Sequence, residues 1–346
     1  MSFIHAVATD LPPYRYSTHD IAEAAAAWLA SDPQQKALFE RLAATTKIEN
    51  RNFALPLADL LGLQGAAERA KIFDEVGASL LANVIRKGLS AAHVPAATVG
   101  ALISTSCSIP AIPAIDAKVV TPLGLSASIF RLPVFQYGCA GGAVGLALAQ
   151  QLCESCGTTV LASVELCSLV YQGADFRAGN IVGSAIFGDG AACVVISREP
   201  GPLKLALCRS FLIPDTHNLM GYDIQDEGTH LRLDKEIPQA LLRAAPEVIS
   251  QFLASVQLSV SEIDWWLFHP GGVKILTSLE EAFGISRERS RWSWDSLRDY
   301  GNMSSASILF ALDGFLREKP YKPGDRVIML GVGPGLTLQV NLLECS

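Results

Sequence analysis

Three side chains have types and settings that suit nucleophilic chemistry. Cys139 follows an apolar, strand-like run, "LPVFQYG", and opens a helix built from the smallest residues, "CAGGAVGLALAQQL". At a helix start, free backbone N–H groups and the positive dipole end favour a thiolate. His269 ends a second apolar run, "DWWLFHPGG", where Pro270 stops the strand and two glycines allow a tight turn. An imidazole there can pair with a thiolate, depressing its pKa, or donate to a carbonyl oxygen. Asn302 in "GNMSSAS" stands where a helix starts. It reads as an N-cap, or as a second neutral donor aimed at an oxygen that becomes anionic. An amide in place of a carboxylate keeps negative charge away from an enolate. Each residue also has a plain alternative: an inert buried cysteine, a structural histidine, a cap.

The elements that must position these residues come in two echoing halves. "NVIRKGLSAAHV" leads into "ALIST" and a loop, as "VISQFLASVQLSVSEID" leads into "WWLF" and a loop. "QYG" opens the small-residue helix, as "RDYGN" opens "MSSASILFALDGFL"; buried strands follow, "TTVLASVE" and "DRVIMLGVG". Strands alternating with helices predict an α/β fold, with largely parallel sheets and helices on both faces. The halves divide at residues 1–205, carrying the cysteine, and 206–346, carrying the histidine and asparagine. Placed back to back, they bring equivalent loops together, and all three polar residues fall at strand ends or helix starts.

Composition narrows the partners. The chain has 346 residues, half of them hydrophobic, enough for one large domain or two fused ones. A net charge of −7 without a basic block argues against nucleic acid and anionic membranes. Eight cysteines lack paired metal spacing, and Cys153 and Cys156 lie inside a helical pattern, so no metal site is expected. With no leader-like start and no long apolar run, a cytoplasmic location is expected, with reduced thiols.

Five motifs, in this order, carry a resemblance over nearly the whole chain: "GCAGGAVGLALA", "AIFGDGAACVV", "FHPGG", "GNMSSAS" and "GVGPGLT". The chain resembles the type III polyketide synthases of the chalcone synthase-like group. The resemblance implies a thiolase-like fold, with duplicated βαβαβ halves in five αβαβα layers. It implies a Cys139–His269–Asn302 triad and a homodimer, with no cofactor beyond its acyl-CoA and malonyl-CoA substrates. Phe187 matches the family's gatekeeper between CoA tunnel and cavity, and Leu231 falls where plant-type enzymes have a second aromatic. Ser304 matches a cavity position near the triad. Ile109 and Pro110 lie in a loop whose family counterpart reaches across the dimer interface. At the CoA mouth Arg41 matches a basic position, whereas Leu38 and Thr45 do not; Lys47 or Arg51 stands near enough to substitute.

Two products fit the resemblance. The stretches around Cys139 and Leu231 look like bacterial alkylpyrone and alkylresorcinol synthases, and Leu231 leaves room for an alkyl chain. That makes an alkylpyrone or alkylresorcinol from a medium or long acyl starter the leading expectation. Cys107 favours the alternative, since some tetrahydroxynaphthalene-forming members, primed by malonyl-CoA, carry a cysteine there. A ketoacyl synthase of fatty-acid initiation is disfavoured, because that family has His-Gln-Ala-Asn where this chain has "HPGG". A silent relative that binds ligand without turnover would not need all three catalytic residues.

Overall fold

Apolar residues on both faces of the strands set the layers of this protein. The computed structural model describes residues 1–63, 65–225 and 228–346. Its strands are β1 (Ser2–Asp10), β2 (Tyr14–Ser17), β3 (Asn50–Phe53), β4 (Ala101–Thr105), β5 (Phe130–Val134), β6 (Thr159–Leu166) and β7 (Asp189–Ser197). After these come β8 (Leu203–Leu212), β9 (Met220–Gln225), β10 (Gly228–Leu233), β11 (Trp265–Phe268), β12 (Arg326–Gly333) and β13 (Thr337–Cys345). Nine strands form one sheet in the order β11-β12-β13-β8-β1-β7-β6-β4-β5.

The order contains the same unit twice. In the first half β4 and β6 are parallel, β6 and β7 antiparallel, and β7 and β1 antiparallel. In the second, β11 and β12 are parallel, β12 and β13 antiparallel, and β13 and β8 antiparallel. The halves join where Ser2–Ile4 of β1 lies antiparallel to Leu203–Leu205 of β8. The expectation of largely parallel sheets is corrected, because most ladders are antiparallel. The reason is clearest at β12 and β13, which a three-residue turn, Pro334–Leu336, connects. A link that short can only return antiparallel.

Successive side chains of a strand point to opposite faces, so one strand serves two cores. Leu102, Val160, Ala162, Cys193 and Val195 face a layer that includes the helix Ala78–Ala91. Their neighbours Ile103, Leu161, Val194 and Ile196 face the helices Gly141–Cys156 and Ser307–Glu318. Leu267, Val327 and Met329 of the second half pack on the same two helices from the other side. Trp266, Phe268, Ile328 and Leu330 then turn to the outer helices Ile237–Ala254 and Val273–Phe283. The result is five layers, αβαβα, with the pair of helices in the middle. No helix among the described residues is long and apolar enough to cross a membrane.

The central layer explains the small-residue run. A Cβ placed on Gly142 would lie 2.2 Å from the backbone oxygen of Ser305, where the second half begins its own central helix. That contact is backbone and cannot rotate away. Gly142→Ala should therefore force the two helix starts apart and destabilise the protein by roughly 1–3 kcal/mol. Urea unfolding measures it; an unchanged midpoint would show that the contact is not what requires glycine.

Candidate active site

Cys139 sits in a single 3-10 turn, Gly138–Ala140, which feeds the central helix Gly141–Cys156. Gly138 has φ +50°, and a Cβ on it would lie 2.7 Å from the Pro334 ring, so only glycine lets the chain turn here. Around the sulfur the two halves meet. Ser304 donates its hydroxyl to Cys139 Sγ at 3.3 Å, and the same oxygen lies 3.1 Å from Cys107 Sγ. Ser304 itself has φ +47°, an uncommon left-handed conformation for a serine, and here it aims the hydroxyl between two thiols.

From Ser304 the contacts run on to the other two residues. The Ser304 N–H donates to Asn302 Oδ1 at 2.9 Å, and Asn302 Nδ2 donates to the Gly271 carbonyl at 3.3 Å. Gly271 N–H in turn donates to the His269 carbonyl at 2.8 Å, and His269 N–H to Leu330 of β12 at 2.9 Å. Cys139, Asn302 and His269 are thus linked through Ser304 and Gly271. Asn302 Nδ2 keeps a second hydrogen free to donate. Asn302 Oδ1 thus takes the N–H of the first residue of the 3-10 turn Ser304–Ala306, so the side chain holds a helix start and presents an amide at once.

Burial dominates the electrostatics. It pushes the Cys139 thiol up to about 12, aided by the negative charge of Glu165 and opposed by the Ser304 hydroxyl and by a backbone N–H. It pushes the His269 imidazole down to about 4, and His269 Nδ1 has no hydrogen-bond partner among the described residues. The depressed thiol expected from the helix start is therefore not what this setting alone provides. Each group taken singly favours its neutral form, so a thiolate needs an acceptor that takes its proton at the same moment.

A carboxyl lies beneath the site that sequence reasoning missed. Glu165 of β6 is fully buried and accepts from Cys107 N–H at 3.0 Å, Ser108 Oγ at 2.5 Å and the Ser305 hydroxyl. Burial nevertheless raises its pKa, outweighing these donors. The signal in the sequence was a single acid inside the otherwise uncharged strand "TVLASVEL". Tyr222 of β9 was also missed; it lines the same cavity as Cys107, and burial pushes its hydroxyl well up.

A cavity of about 360 Å³ opens at the sulfur. Cys107, Cys139, Phe187, Leu231 and Ser304 line it, as does Tyr222. Farther along, the wall is apolar: Ile21, Trp28, Phe39, Leu57 and Leu60. Ile109 packs against its own half's core, whereas Ile112 in the same loop is fully exposed. Arg41 lies on the exposed face of the helix Pro33–Thr45. Arg51 is only 2% exposed and turned inward, which removes it as a substitute phosphate ligand.

Residues 3–200 match the family model of the chalcone and stilbene synthase N-terminal domain, and residues 204–345 that of the C-terminal domain. A 1,3,6,8-tetrahydroxynaphthalene synthase of Streptomyces peucetius subsp. caesius is 35% identical, with 99% of this chain and 92% of that protein covered. An alpha-pyrone synthesis polyketide synthase-like protein of Mycobacterium tuberculosis is 29% identical, covering 99% of this chain and 91% of that one. The crystal structure of 1,3,6,8-tetrahydroxynaphthalene synthase from Streptomyces coelicolor A3(2), a bacterial type III polyketide synthase, superposes with a TM-score of 0.95. It is 27% identical and covers 99% of both chains.

The Glu165 carboxyl allows a test with a definite sign. Its folded pKa lies above the ordinary 4.5, so the folded protein keeps a proton that the unfolded chain has released. Its contribution to stability therefore falls as pH rises above that value. Glu165→Gln loses acceptors but cannot ionise. Its deficit in urea midpoint against the unsubstituted protein should be largest near about pH 5 and shrink towards about pH 8. Parallel pH curves would mean that Glu165 is charged throughout.

Proposed function

We propose what a chain belonging to the chalcone and stilbene synthase family, and so a type III polyketide synthase, does with this cavity. It primes on malonyl-CoA, extends with further malonyl-CoA, and closes the chain to an aromatic product of the tetrahydroxynaphthalene kind. The observation that carries this reading is the cluster of neutral donors at the sulfur. Cys107, Tyr222 and Ser304 line the cavity with Cys139, and burial keeps the first two protonated. A malonyl-derived chain carries an oxygen on every second carbon and needs such donors; an alkyl chain does not. The identity to tetrahydroxynaphthalene synthases points the same way.

In the mechanism we infer, Cys139 is the acyl carrier. As its sulfur attacks the starter thioester, the thiol proton passes to His269, the C–S bond to CoA breaks, and CoA leaves with a proton. Malonyl-CoA then loses CO₂. The electron pair of the broken C–C bond becomes an enolate, whose oxygen accepts from His269 and Asn302. The enolate carbon attacks the Cys139 thioester, the new C–C bond forms, and Cys139 leaves as thiolate. One such oxyanion donor contributes roughly 3–4 kcal/mol. The second central half supplies both donors, and the first supplies the sulfur.

The remaining expectations belong to the same reading. Phe187 and Leu231 shape the cavity, and Arg41 serves the CoA mouth. The protein works as a cytoplasmic homodimer without cofactor; its eight unpaired cysteines support the compartment. Ile112, and not Ile109, is the loop residue that would enter a partner, since it is the one left exposed. A second reading rests on the apolar far wall. Ile21, Trp28, Phe39 and Leu57 would suit a medium or long acyl starter, released as an alkylpyrone or alkylresorcinol.

Incubation with malonyl-CoA alone, and with acyl-CoAs from acetyl to stearoyl, separates the two by mass spectrometry of the products. Malonyl-CoA alone should give full turnover to an aromatic pentaketide, with long acyl-CoAs failing to compete. Alkyl-tailed pyrones formed in preference would overturn the first reading in favour of the second. The proton transfer has its own test. Removing the acceptor in His269→Gln should move iodoacetamide inactivation of Cys139 to higher pH, towards the value of about 12 that burial sets. Coincident profiles would exclude His269 as the acceptor.

A further inference from the structure

Arg51 is a buried cation whose work none of the chemistry above explains. It belongs to β3 and is 2% exposed; among the described residues it has no carboxylate at ion-pair distance, though the buried Asp189 acts on it from farther away. Its Nη1 donates to two carbonyls at once, Ser184 at 2.7 Å and Phe187 at 2.8 Å. These end the helix Ala178–Ile186, at the point where carbonyls have no partner within the helix. The stem of the same side chain lies under Gly301, where a Cβ would come within 2.9 Å of Arg51 Cγ and Cδ. Gly301 has φ +70° and directly precedes Asn302.

Phe187 and Asn302 are themselves bridged. Asn302 N–H donates to Ile186 at 2.8 Å, and Gly188 N–H donates to the Asn302 carbonyl at 3.0 Å. This isolated bridge is the only strand-like pairing that joins the two halves beside the site among the described residues. Two backbone bonds alone would leave it free to shear. Arg51 grips one side through the Phe187 carbonyl and fills the space beneath the other. Holding a guanidinium in that position is unfavourable: burial lowers its pKa to about 9, with the Asp189 charge opposing only part of the shift. An apolar side chain would fill the same volume without that cost, but could not hold the Ser184 and Phe187 carbonyls.

We propose that Arg51 is a positioning residue for decarboxylation: by fixing the Phe187–Asn302 bridge it sets where the Asn302 amide meets the enolate oxygen. The inference rests on the role of Asn302 given under the proposed function. It separates two half-reactions that a general loss of structure would impair together. Cys139 is placed by the turn at Gly138, which packs on Pro334, and meets Asn302 only indirectly, through Ser304.

The test uses Arg51→Met, which keeps the stem and loses both hydrogen bonds, and Arg51→Lys, which restores a donor. Acylation of Cys139 by a labelled acyl-CoA and release of labelled CO₂ from malonyl-CoA are measured on the same soluble preparations. Arg51→Met should load Cys139 within about twofold of the unsubstituted protein, yet release CO₂ on the order of 10²-fold more slowly, as a misplacement of about 1 Å produces. Arg51→Lys should recover at least about a tenth of the lost rate. Loading and decarboxylation that fall in parallel, without rescue by lysine, would overturn the inference, as would two variants that match the unsubstituted protein. If the unsubstituted protein releases no CO₂, the proposed function fails first and takes this inference with it.

Discussion

Everything at the site depends on how closely two helix starts approach in the middle layer. Gly142 meets the backbone of Ser305 with no room for a methyl group, and this sets the distance between the halves of the chain. One half brings a sulfur to that junction, the other a hydroxyl, an amide and an imidazole. Neither half holds a complete site. The strained backbone of Ser304 lies at this junction and is held there by packing on both sides.

The same junction is largely buried, and that decides its chemistry. Thiol, imidazole, phenol and carboxyl are all pushed towards their neutral forms. Groups shifted in this way present mostly hydrogen-bond donors to the cavity. Charge that develops during the reaction meets donors already in place, which is the arrangement that favours an enolate most. The apolar wall beyond the donors serves the same end by keeping water from the intermediates.

Much of this was legible in the sequence where a residue type conflicts with its surroundings. A cysteine opening a run of glycines and alanines, or a histidine ending "WWLF", has few ordinary explanations, and the resemblance ordered these pieces correctly. What stayed hidden was set by contacts across the chain. Whether an intervening helix crosses over or returns is not written in its periodicity, so mixed ladders were read as parallel. Arg51 looked like a surface cation because a lone arginine in "KIENRNF" carries no sign of the carbonyls it meets more than a hundred residues away. Ile109 and Ile112 are both isoleucines followed by proline, and only packing tells which one is covered. The pull of the helix dipole on Cys139 was legible too; the burial that outweighs it was not.

The order of strands also has a kinetic side. β1 lies between β7 and β8, which follow it by nearly two hundred residues. β13 is inserted between β12 and β8 and is not an edge. On a ribosome β1 must wait, unpaired, until β7 and β8 have been synthesised. Such high contact order slows folding and prolongs exposure of sticky intermediates. A cell making this protein would be expected to rely on chaperones at that stage, and a fast-translated copy to aggregate more readily than a slow one.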